Sequence, residues 1–592
     1  MVSLYHLQST VFQKKPDGLY PMPILSKLHV KQRPRVETII VAIIFCIGML
    51  CSLQNRFLAL FLTAALACFA AFRVLSGRTS LSIVHIPLAA LPFLYLLSAV
   101  VNGLTYYAIG QAMLMCIPLL ASLCLPNTKS ALPIIVAGAL FLAIASLFGA
   151  IVPFIPNTFT PAGFHSDPRS RLQTLLTYAN TGGLLFACGI FALLGMKPGR
   201  QAHMLVKYLA VVLLAVCVFL TGSRFVLAQM LMLFIIYTFI RYKTKKIAFL
   251  TVGVLSTTVP LILVFRPEFL INSSLALRLI YWSDTIRAVA ANPILGLGPE
   301  GFIFRIHELQ SAIYVVRYIH SAFLQVAIDA GIPALIALCT ISVMALRHTW
   351  KESRTMFFIL LFLLAHSAID ANFSFFPALM LFGMCATRPT TATHKSGIKA
   401  LACLALLLVF TASIYLFIGE SFYSRGLRAD REGRFGDARQ AFQTSLAWMP
   451  GDFRSTMRLA WVHILEHEQE QAIVLLLDSH PINFNRAVRS ELLVIAYKNL
   501  GMYPEWGAET LSLLEYAPLR QVAYIERSEY LIAAHFSLLI STETYETKFA
   551  ALLARLETAN QSVHPLARFL LERDRALDVG SLLTLDQFLI PE

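Results

Sequence analysis

The stretch VFLTGSRFVLAQMLM, residues 218–232, decides how this chain folds. Apolar residues run up to Leu220 and resume at Phe225, and the residues between them read Thr-Gly-Ser-Arg. The pattern is typical of two membrane helices that meet at a short polar junction, with the guanidinium of Arg224 at that junction. A permanent charge at membrane depth costs free energy unless it faces a cavity or a partner, so Arg224 is a candidate functional residue.

The composition of the whole chain agrees with a membrane protein. Of its 592 residues, 57% are hydrophobic and 14% are charged, and the mean hydropathy is +0.69. These values exclude an ordinary soluble globular protein. Apolar blocks of about 17–25 residues can each cross a bilayer as a helix. We predict an all-α polytopic membrane protein whose thirteen spans are 37–53, 57–73, 83–101, 105–125, 131–155, 178–196, 205–221, 225–240, 247–265, 330–346, 356–370, 373–388 and 398–418.

The basic residues predict the orientation, because cytoplasmic loops carry an excess of Lys and Arg. The N-terminal segment 1–36 is basic, and every second loop after it is basic too. In the opposite set, the loop 102–104 has no charge and the first loop has only Arg56. We therefore predict a cytoplasmic N-terminus, and an odd number of spans places the C-terminus outside.

The composition changes near residue 419. Residues 420–592 hold 17 Lys and Arg against 23 Asp and Glu, although the whole chain carries a formal charge of +15. The positive charge thus follows the membrane topology and does not indicate a nucleic-acid-binding face. We predict a transmembrane domain over 37–418 and an extracytoplasmic helical domain over 419–592.

The segment FYSRGLRADREGRFGDARQAFQTSLAWMP, residues 422–450, fits most positions of a tetratricopeptide repeat. In such repeats, small residues let two helices pack closely and a proline ends the unit. The residues that fit are Phe422, Gly426, Gly433, Ala438, Phe442 and Pro450. We predict a short α-solenoid that serves as a platform for protein partners and takes no part in catalysis.

The ten cysteines all lie in or beside apolar spans, and none lies in 266–320 or in 420–592. This distribution predicts small buried side chains and gives no disulfide framework and no metal site. No cofactor is expected.

The longest predicted outer loop, 266–329, contains LRLIYWSDTIRAVAANPILGLGPEGF at 277–302. A helix is predicted from Ser273 to Asn292, because serines favour the first position and Asn-Pro ends a helix. The following G-x-G-x-x-G is expected to be a loop turn, since it follows a helix and lacks the βαβ context of a dinucleotide site.

Several arginines fall on the predicted outer face, against the charge rule for that side. They are Arg224, Arg171, Arg278 and Arg287. Guanidinium forks suit phosphate oxygens, so the pattern predicts an outward-facing anionic ligand such as a lipid diphosphate. The alternative is that each arginine anchors its helix at the membrane interface.

Four segments together resemble the O-antigen ligase and polysaccharide polymerase superfamily. They are RLQTLLTYANTGGLLFACG (171–189), FLTGSRFVLAQMLM (219–232), LRLIYWSDTIRAVAANPILGLGPEGF (277–302) and IHSAFLQVAIDAGIPALIAL (319–338). The solenoid tail resembles that of the longer members. The resemblance covers about 165–390, and four motifs in order are more specific than any one of them.

The resemblance implies a metal-independent glycosyltransferase of the bacterial cytoplasmic membrane. Such an enzyme transfers a glycan from undecaprenyl diphosphate on the outer leaflet to a glycan, lipid or protein acceptor. Carried over residue by residue, Arg224 and Arg278 bind the donor diphosphate and His320 acts on the acceptor proton. Arg171 and Arg287 are expected beside the diphosphate. Glu300, Ser321 and Tyr178 are expected on the acceptor side.

The residue types fit that chemistry. Fixed guanidinium groups stabilise a diphosphate leaving group whose charge grows in the transition state, and neutral imidazole can take a hydroxyl proton near pH 7. This chain has His320-Ser321 where the family commonly has His-Asn, and the serine hydroxyl can replace the amide as a hydrogen-bond donor. Without the resemblance, the sequence favours a helix-capping role for His320. The sequence does not distinguish a ligase from a polymerase. The rival functions are a glycan exporter or flippase and a membrane scaffold.

Overall fold

The computed structural model describes residues 36–51, 56–79, 81–103, 105–151, 171–172, 174–196, 201–242, 273–312, 314, 316–387, 396–478 and 486–563. Within these ranges the chain is helical, as predicted. The helices are α1 (Val36–Gly48), α2 (Arg56–Leu75), α3 (His85–Val101), α4 (Tyr106–Leu114), α5 (Ile117–Cys124), α6 (Ala131–Ile151), α7 (Ala179–Gly195), α8 (Gln201–Thr221), α9 (Arg224–Tyr242), α10 (Ser273–Ala291), α11 (Gly301–Phe304), α12 (Ile306–Leu309), α13 (Ala322–Glu352), α14 (Arg354–Ser367), α15 (Phe376–Ala386), α16 (Ser396–Arg431), α17 (Phe435–Trp448), α18 (Phe453–Leu465), α19 (Gln469–Leu477), α20 (Arg486–Leu500), α21 (Tyr503–Tyr516), α22 (Gln521–Phe536) and α23 (Thr542–Ser562).

The helical membrane fold class is confirmed. Among the described residues, six helices are long and apolar enough to cross a bilayer, and six shorter apolar helices accompany them. Twelve of the predicted spans thus coincide with helices, while the ninth, 247–265, lies outside the described residues. The count of thirteen, the N-terminal segment 1–36 and the orientation stay predictions.

Glycines allow the helices of the bundle to approach closely. A Cβ at Gly383 of α15 would lie 2.3 Å from the carbonyl oxygen of Pro118 in α5. A Cβ at Gly189 of α7 would lie 2.5 Å from the Ala139 side chain in α6. Small residues are the usual means of packing membrane helices, because lipid supplies no hydrophobic force between them. These contacts bring α5, α6, α7 and α15 into one apolar core.

The predicted loop helix and glycine turn are both confirmed, and the turn packs on a bend in α13. That bend lies at Gly331, where φ is +82°. The backbone N–H of Leu297 donates to the carbonyl of Ile328 at 2.7 Å. A Cβ at Gly296 would lie 2.2 Å from the same carbonyl oxygen, so this turn needs glycine. The contact fixes the N-terminal end of α13, which follows His320.

The C-terminal domain begins inside a continuous helix. α16 runs without interruption from Ser396 to Arg431, so the predicted boundary at 418–419 falls within it. Consecutive helices from α16 to α23 then pack against each other in chain order. A Cβ at Gly426 would lie 2.5 Å from Phe442, which agrees with the close packing predicted for those positions. Membership of the tetratricopeptide class stays a prediction.

The C-terminal domain packs against the bundle and its loop. The guanidinium of Arg454 in α18 lies 4.1 Å over the ring of Tyr107 in the bundle, and within the domain it forms two hydrogen bonds to Glu420, at 2.7 and 3.2 Å. The rings of Phe304 and Phe453 meet at 4.4 Å. Removing one partner of such a buried ion pair costs about 3–5 kcal/mol. The C-terminal helices therefore contact the bundle at Tyr107 and the loop at Phe304, and their exclusion from catalysis stays a prediction.

Candidate active site

A buried carboxylate, Asp370, lies between α14 and α15 and holds several polar side chains together. The Tyr178 hydroxyl donates to its Oδ1 at 2.5 Å, and the Asn180 amide donates to its Oδ2 at 2.6 Å. The backbone N–H of Ala371 donates to Oδ1 at 2.8 Å. Three donors to one carboxyl group favour its charged form, so Asp370 is a carboxylate here.

His320 is bound to the same carboxylate. Its Nδ1 lies 3.2 Å from Oδ1 of Asp370 and 3.0 Å from the Tyr178 hydroxyl. Since the Tyr178 proton points to Asp370, the hydrogen on Nδ1 belongs to His320 and is donated to both oxygens. That tautomer leaves Nε2 with a lone pair, which is what a general base requires. The His320 side chain is 25% exposed, whereas that of Asp370 is 1% exposed.

The backbone at His320 is unusual, with φ at +48°. Left-handed backbone in a residue other than glycine costs about 1–3 kcal/mol and is concentrated at functional sites. The neighbouring Ser321 caps α13, because its hydroxyl accepts from the Leu324 N–H. The cap is therefore Ser321, and His320 precedes the helix with its ring directed to Asp370.

Arg171 connects the segment before α7 to the Thr-Gly-Ser-Arg junction, residues 221–224, by hydrogen bonds. Its Nε donates to the Thr221 carbonyl at 2.7 Å, and its Nη2 donates to Oδ1 of Asn180 at 2.7 Å. Gly222 lies beside the Arg171 stem with φ at +59°, and a Cβ there would make ordinary contacts at 3.5 Å. Gly222 is thus required by its backbone angle.

Arg278 of α10 approaches the cluster from the loop. Its Nη1 donates to the Ile369 carbonyl at 2.9 Å, and its Nη2 lies 3.8 Å from Oδ2 of Asp370. Its guanidinium carbon is 5.5 Å from the ring centre of Phe225, the residue after Arg224. The structure therefore brings the two predicted arginine segments to one place.

The charges of Arg224 and Arg278 both act on Arg171. Desolvation lowers the pKa of Arg171 although its side chain reaches solvent, and the charges of Arg224 and Arg278 lower it further, while Tyr178 and Asp370 act in the opposite direction. Arg278 thus lies beside Asp370, Arg171 reaches the carboxylate through Asn180, and Arg224 lies near Arg171. Arginine side chains grouped in this way fit an anionic ligand.

Residues 209–339 match the family described as O-Antigen ligase. The match includes Arg224, Arg278 and His320, three residues of the cluster just described. This segment is similar to the O-antigen ligase domain. A search of the curated proteins finds no match.

The match agrees with the membrane helices described above, and it supports a membrane glycan ligase or polymerase in general. The Asp370 cluster extends beyond the matched segment in both directions. Arg171, Tyr178 and Asn180 come before residue 209, and Asp370 comes after residue 339.

Two predicted site residues lie away from the Asp370 cluster. Arg287 forms an ion pair with Asp284 and its side chain is 63% exposed. It follows Arg278 by nine residues, which is half a turn around the helix at 100° per residue. The structure therefore does not bring Arg287 to the Asp370 cluster, and we leave it out of the donor site.

Glu300 also belongs to another group of residues. Its carboxylate accepts from the Gln111 amide, and its backbone N–H donates to Oδ1 of Asp329 at 3.1 Å. Its own φ is +62°, the left-handed region. Glu300 thus holds the glycine turn to α4 and α13 and is not a partner of His320. Ser321 acts as the helix cap, and Tyr178 is the residue of the predicted acceptor set that contacts His320.

Sequence reasoning missed Asp370 and the role of Asn180. Asp370 stands in HSAIDANFSFF, residues 366–376, where a charged residue and two amide or imidazole side chains interrupt an apolar run. The rule that singled out Arg224, a charge at the junction of two spans, applies equally to Asp370.

Proposed function

We propose that this protein transfers a glycan from an undecaprenyl-diphosphate-linked donor to an acceptor hydroxyl at the outer face of the bacterial cytoplasmic membrane. The observation that carries the proposal is the pairing of His320 with Asp370 beside three arginines. One half of the cluster can receive a proton and the other half can hold an anion. Both are needed to replace a diphosphate by a hydroxyl group.

On the donor side, Arg171, Arg224 and Arg278 are assigned to the diphosphate. A glycosyl diphosphate gains negative charge on its bridging oxygen as the bond to the sugar breaks. Guanidinium groups already fixed by the Thr221 and Ile369 carbonyls stabilise that charge without rearranging. This assignment involves no metal ion.

On the acceptor side, Nε2 of His320 takes the proton of the attacking hydroxyl. Asp370 and Tyr178 hold the ring in the tautomer that leaves Nε2 free, and the carboxylate stabilises the imidazolium that forms. The proton is removed as the acceptor oxygen bonds to the anomeric carbon, while the diphosphate leaves with the bonding electron pair.

The rival functions make different use of these residues. A glycan exporter needs an anion site but has no use for a base held by a carboxylate, and a scaffold needs neither. The family match favours the transferase. Whether the acceptor is a second glycan chain, a lipid or a protein decides between polymerase and ligase.

The test is a transfer assay with the purified full-length chain. It is incubated in detergent with an undecaprenyl-diphosphate oligosaccharide and with candidate glycan, lipid and protein acceptors. A covalent product together with released undecaprenyl diphosphate supports the proposal, and the acceptor in that product separates ligase from polymerase. Movement of intact donor across a vesicle membrane, with no product, would favour the exporter.

A further inference from the structure

A second group of arginine side chains, of which Arg56 is buried and Arg317 partly buried, has no role in the transfer steps proposed above. It surrounds a cavity of about 30 Å³, whose lining includes Arg56, Tyr107, Arg317, Tyr318 and Ser374. A cavity needs roughly 10–15 Å³ of this volume to hold one water molecule, so this cavity has room for about two. We call this cavity the Arg56–Arg317 pocket.

Arg56 has unused hydrogen-bond donors in this pocket. Its side chain is buried, with 8% of the residue exposed. Nη2 donates to the Tyr107 carbonyl at 2.5 Å, while Nε and Nη1 are buried without a hydrogen-bond partner among the described residues. The guanidinium carbon lies 3.6 Å over the ring of Tyr107. Buried donors left unpaired cost free energy, so a ligand that accepts from them would stabilise the site.

Arg317 supplies the second cation. Its Nη2 donates to the Tyr107 hydroxyl at 2.6 Å, and its guanidinium lies 5.5 Å from the ring centre of Tyr318. Tyr107 therefore connects the two arginines, Arg56 through its carbonyl and ring and Arg317 through its hydroxyl.

The carboxylates near the pocket are already bound to other residues. Glu420 is held by two hydrogen bonds from Arg454. Glu300 accepts from the Gln111 amide. Neither carboxylate lies within ion-pair distance of Arg56 or Arg317 in the described part of the chain, so two positive charges face the cavity without a direct anionic partner.

The position of the pocket relates it to the proposed reaction. Arg317 and Tyr318 come directly before Ile319 and His320, and Ser374 comes four residues after Asp370. The two segments that carry the base and its carboxylate thus also line the pocket. Two short segments of the chain therefore connect the pocket to the site of the proposed transfer.

We propose that the Arg56–Arg317 pocket binds an anionic group, a carboxylate or a phosphate, carried by a sugar of the glycan substrate. The proposal rests on the glycan transfer proposed above. Arg56 and Arg317 hold the anionic oxygens by charge-assisted hydrogen bonds, and Tyr107 and Tyr318 provide aromatic surface beside them. The pocket thus selects for an acidic or phosphorylated sugar and is separate from the diphosphate site.

The test measures binding to the purified full-length chain in detergent by calorimetry. The probes are glucuronate for a carboxylate, glucose 1-phosphate for a phosphate, glucose as the neutral control and undecaprenyl diphosphate for the other site. One or both anionic sugars should bind more tightly than glucose. Arg56→Gln and Arg317→Gln should each weaken that binding about tenfold or more. Arg287→Gln, an exposed arginine outside both sites, is the matched control.

Arg56→Lys, which keeps the charge, separates a binding defect from a folding defect, and melting temperatures are compared for all variants. Undecaprenyl diphosphate should bind Arg56→Gln within about threefold of the unsubstituted chain, while Arg278→Gln should lose it. Anionic sugars that bind no better than glucose, or equally well to folded Arg56→Gln and Arg317→Gln, would overturn the proposal. Anionic-sugar binding that depends on Arg56 in a chain that forms no transfer product would support the pocket and contradict the proposed function.

Discussion

The imidazole Nδ1 of His320 lies 3.2 Å from Oδ1 of Asp370, and the two residues are 50 positions apart in the chain. Because the carboxylate is buried and the imidazole is partly exposed, the pair presents one ring nitrogen toward the exterior. This relationship is the geometric basis for treating His320 as a base.

Replacement of Asp370 by Asn should lower turnover much more than donor binding. The amide can donate to Nδ1 and so favours the tautomer that places the hydrogen on Nε2, where it blocks proton uptake. We expect a loss of about 10²–10⁴ in transfer rate, with the Kd for donor changed less than about threefold. Single-turnover rates and donor binding measure the two effects. Asp284→Asn, another buried carboxylate, is the control, and an unchanged rate in Asp370→Asn would remove the orienting role.

Two arginines on α10 give a matched pair for the donor site. Arg278→Gln should weaken donor binding by about tenfold or more, because it removes a charge-assisted contact. Arg287→Gln should leave donor binding unchanged, since that arginine is exposed and paired with Asp284. Equal losses in both variants would show that α10 contributes a general positive charge and no specific site.

The contact between the loop that contains α10–α12 and the C-terminal helices should depend on pH through His307. Burial, and to a lesser degree the charge of Arg520, lowers the pKa of His307 to about 3. The unfolded chain, with an ordinary pKa near 6.5, takes up the proton first. Stability contributed by neutral His307 is therefore complete above about pH 6.5 and declines as the pH falls toward 3, by about 2 kcal/mol at pH 5.

Melting temperatures at pH 7.5 and pH 5 measure this effect in detergent. His307→Leu removes the titrating group, so the difference between the two temperatures should become smaller than in the unsubstituted chain. His467→Asn, at an exposed histidine, should leave the difference as it was. A pH dependence identical in all three chains would exclude His307 as its source.

The predicted topology can be tested with single cysteines. Leu538 lies in the C-terminal domain with 89% of the residue exposed, and Thr244 lies in the basic loop predicted to be cytoplasmic. A maleimide reagent that does not cross membranes should label Leu538→Cys in intact spheroplasts and Thr244→Cys only after lysis. The unsubstituted chain measures the background from the ten native cysteines. Labelling of both from the same side would contradict an odd number of spans.

The sequence predicted the helices well because membrane spans depend on local apolar runs, which can be read directly. It also identified Arg171, Arg224, Arg278, His320 and Tyr178, which the structure brings to one cluster. The prediction of Arg287 as a donor-site residue was not supported, because a helix places residues nine apart on opposite faces. Sequence reasoning failed for Asp370 because one carboxylate at the end of an apolar run has no visible partner until the fold brings His320 to it. The role of Glu300 required knowledge of Gln111 and Asp329, which lie on other helices.

The most direct test of the central claim compares His320→Ala with Arg224→Lys and Arg224→Ala in the purified chain. The account predicts that His320→Ala binds undecaprenyl-diphosphate donor within about threefold of the unsubstituted chain and transfers its glycan about 10²–10⁴ times more slowly. It predicts that Arg224→Lys loses donor binding nearly as severely as Arg224→Ala, because an ammonium group lacks the two-pronged geometry of guanidinium. Near-normal transfer by folded His320→Ala, or full activity in Arg224→Ala, would contradict the account.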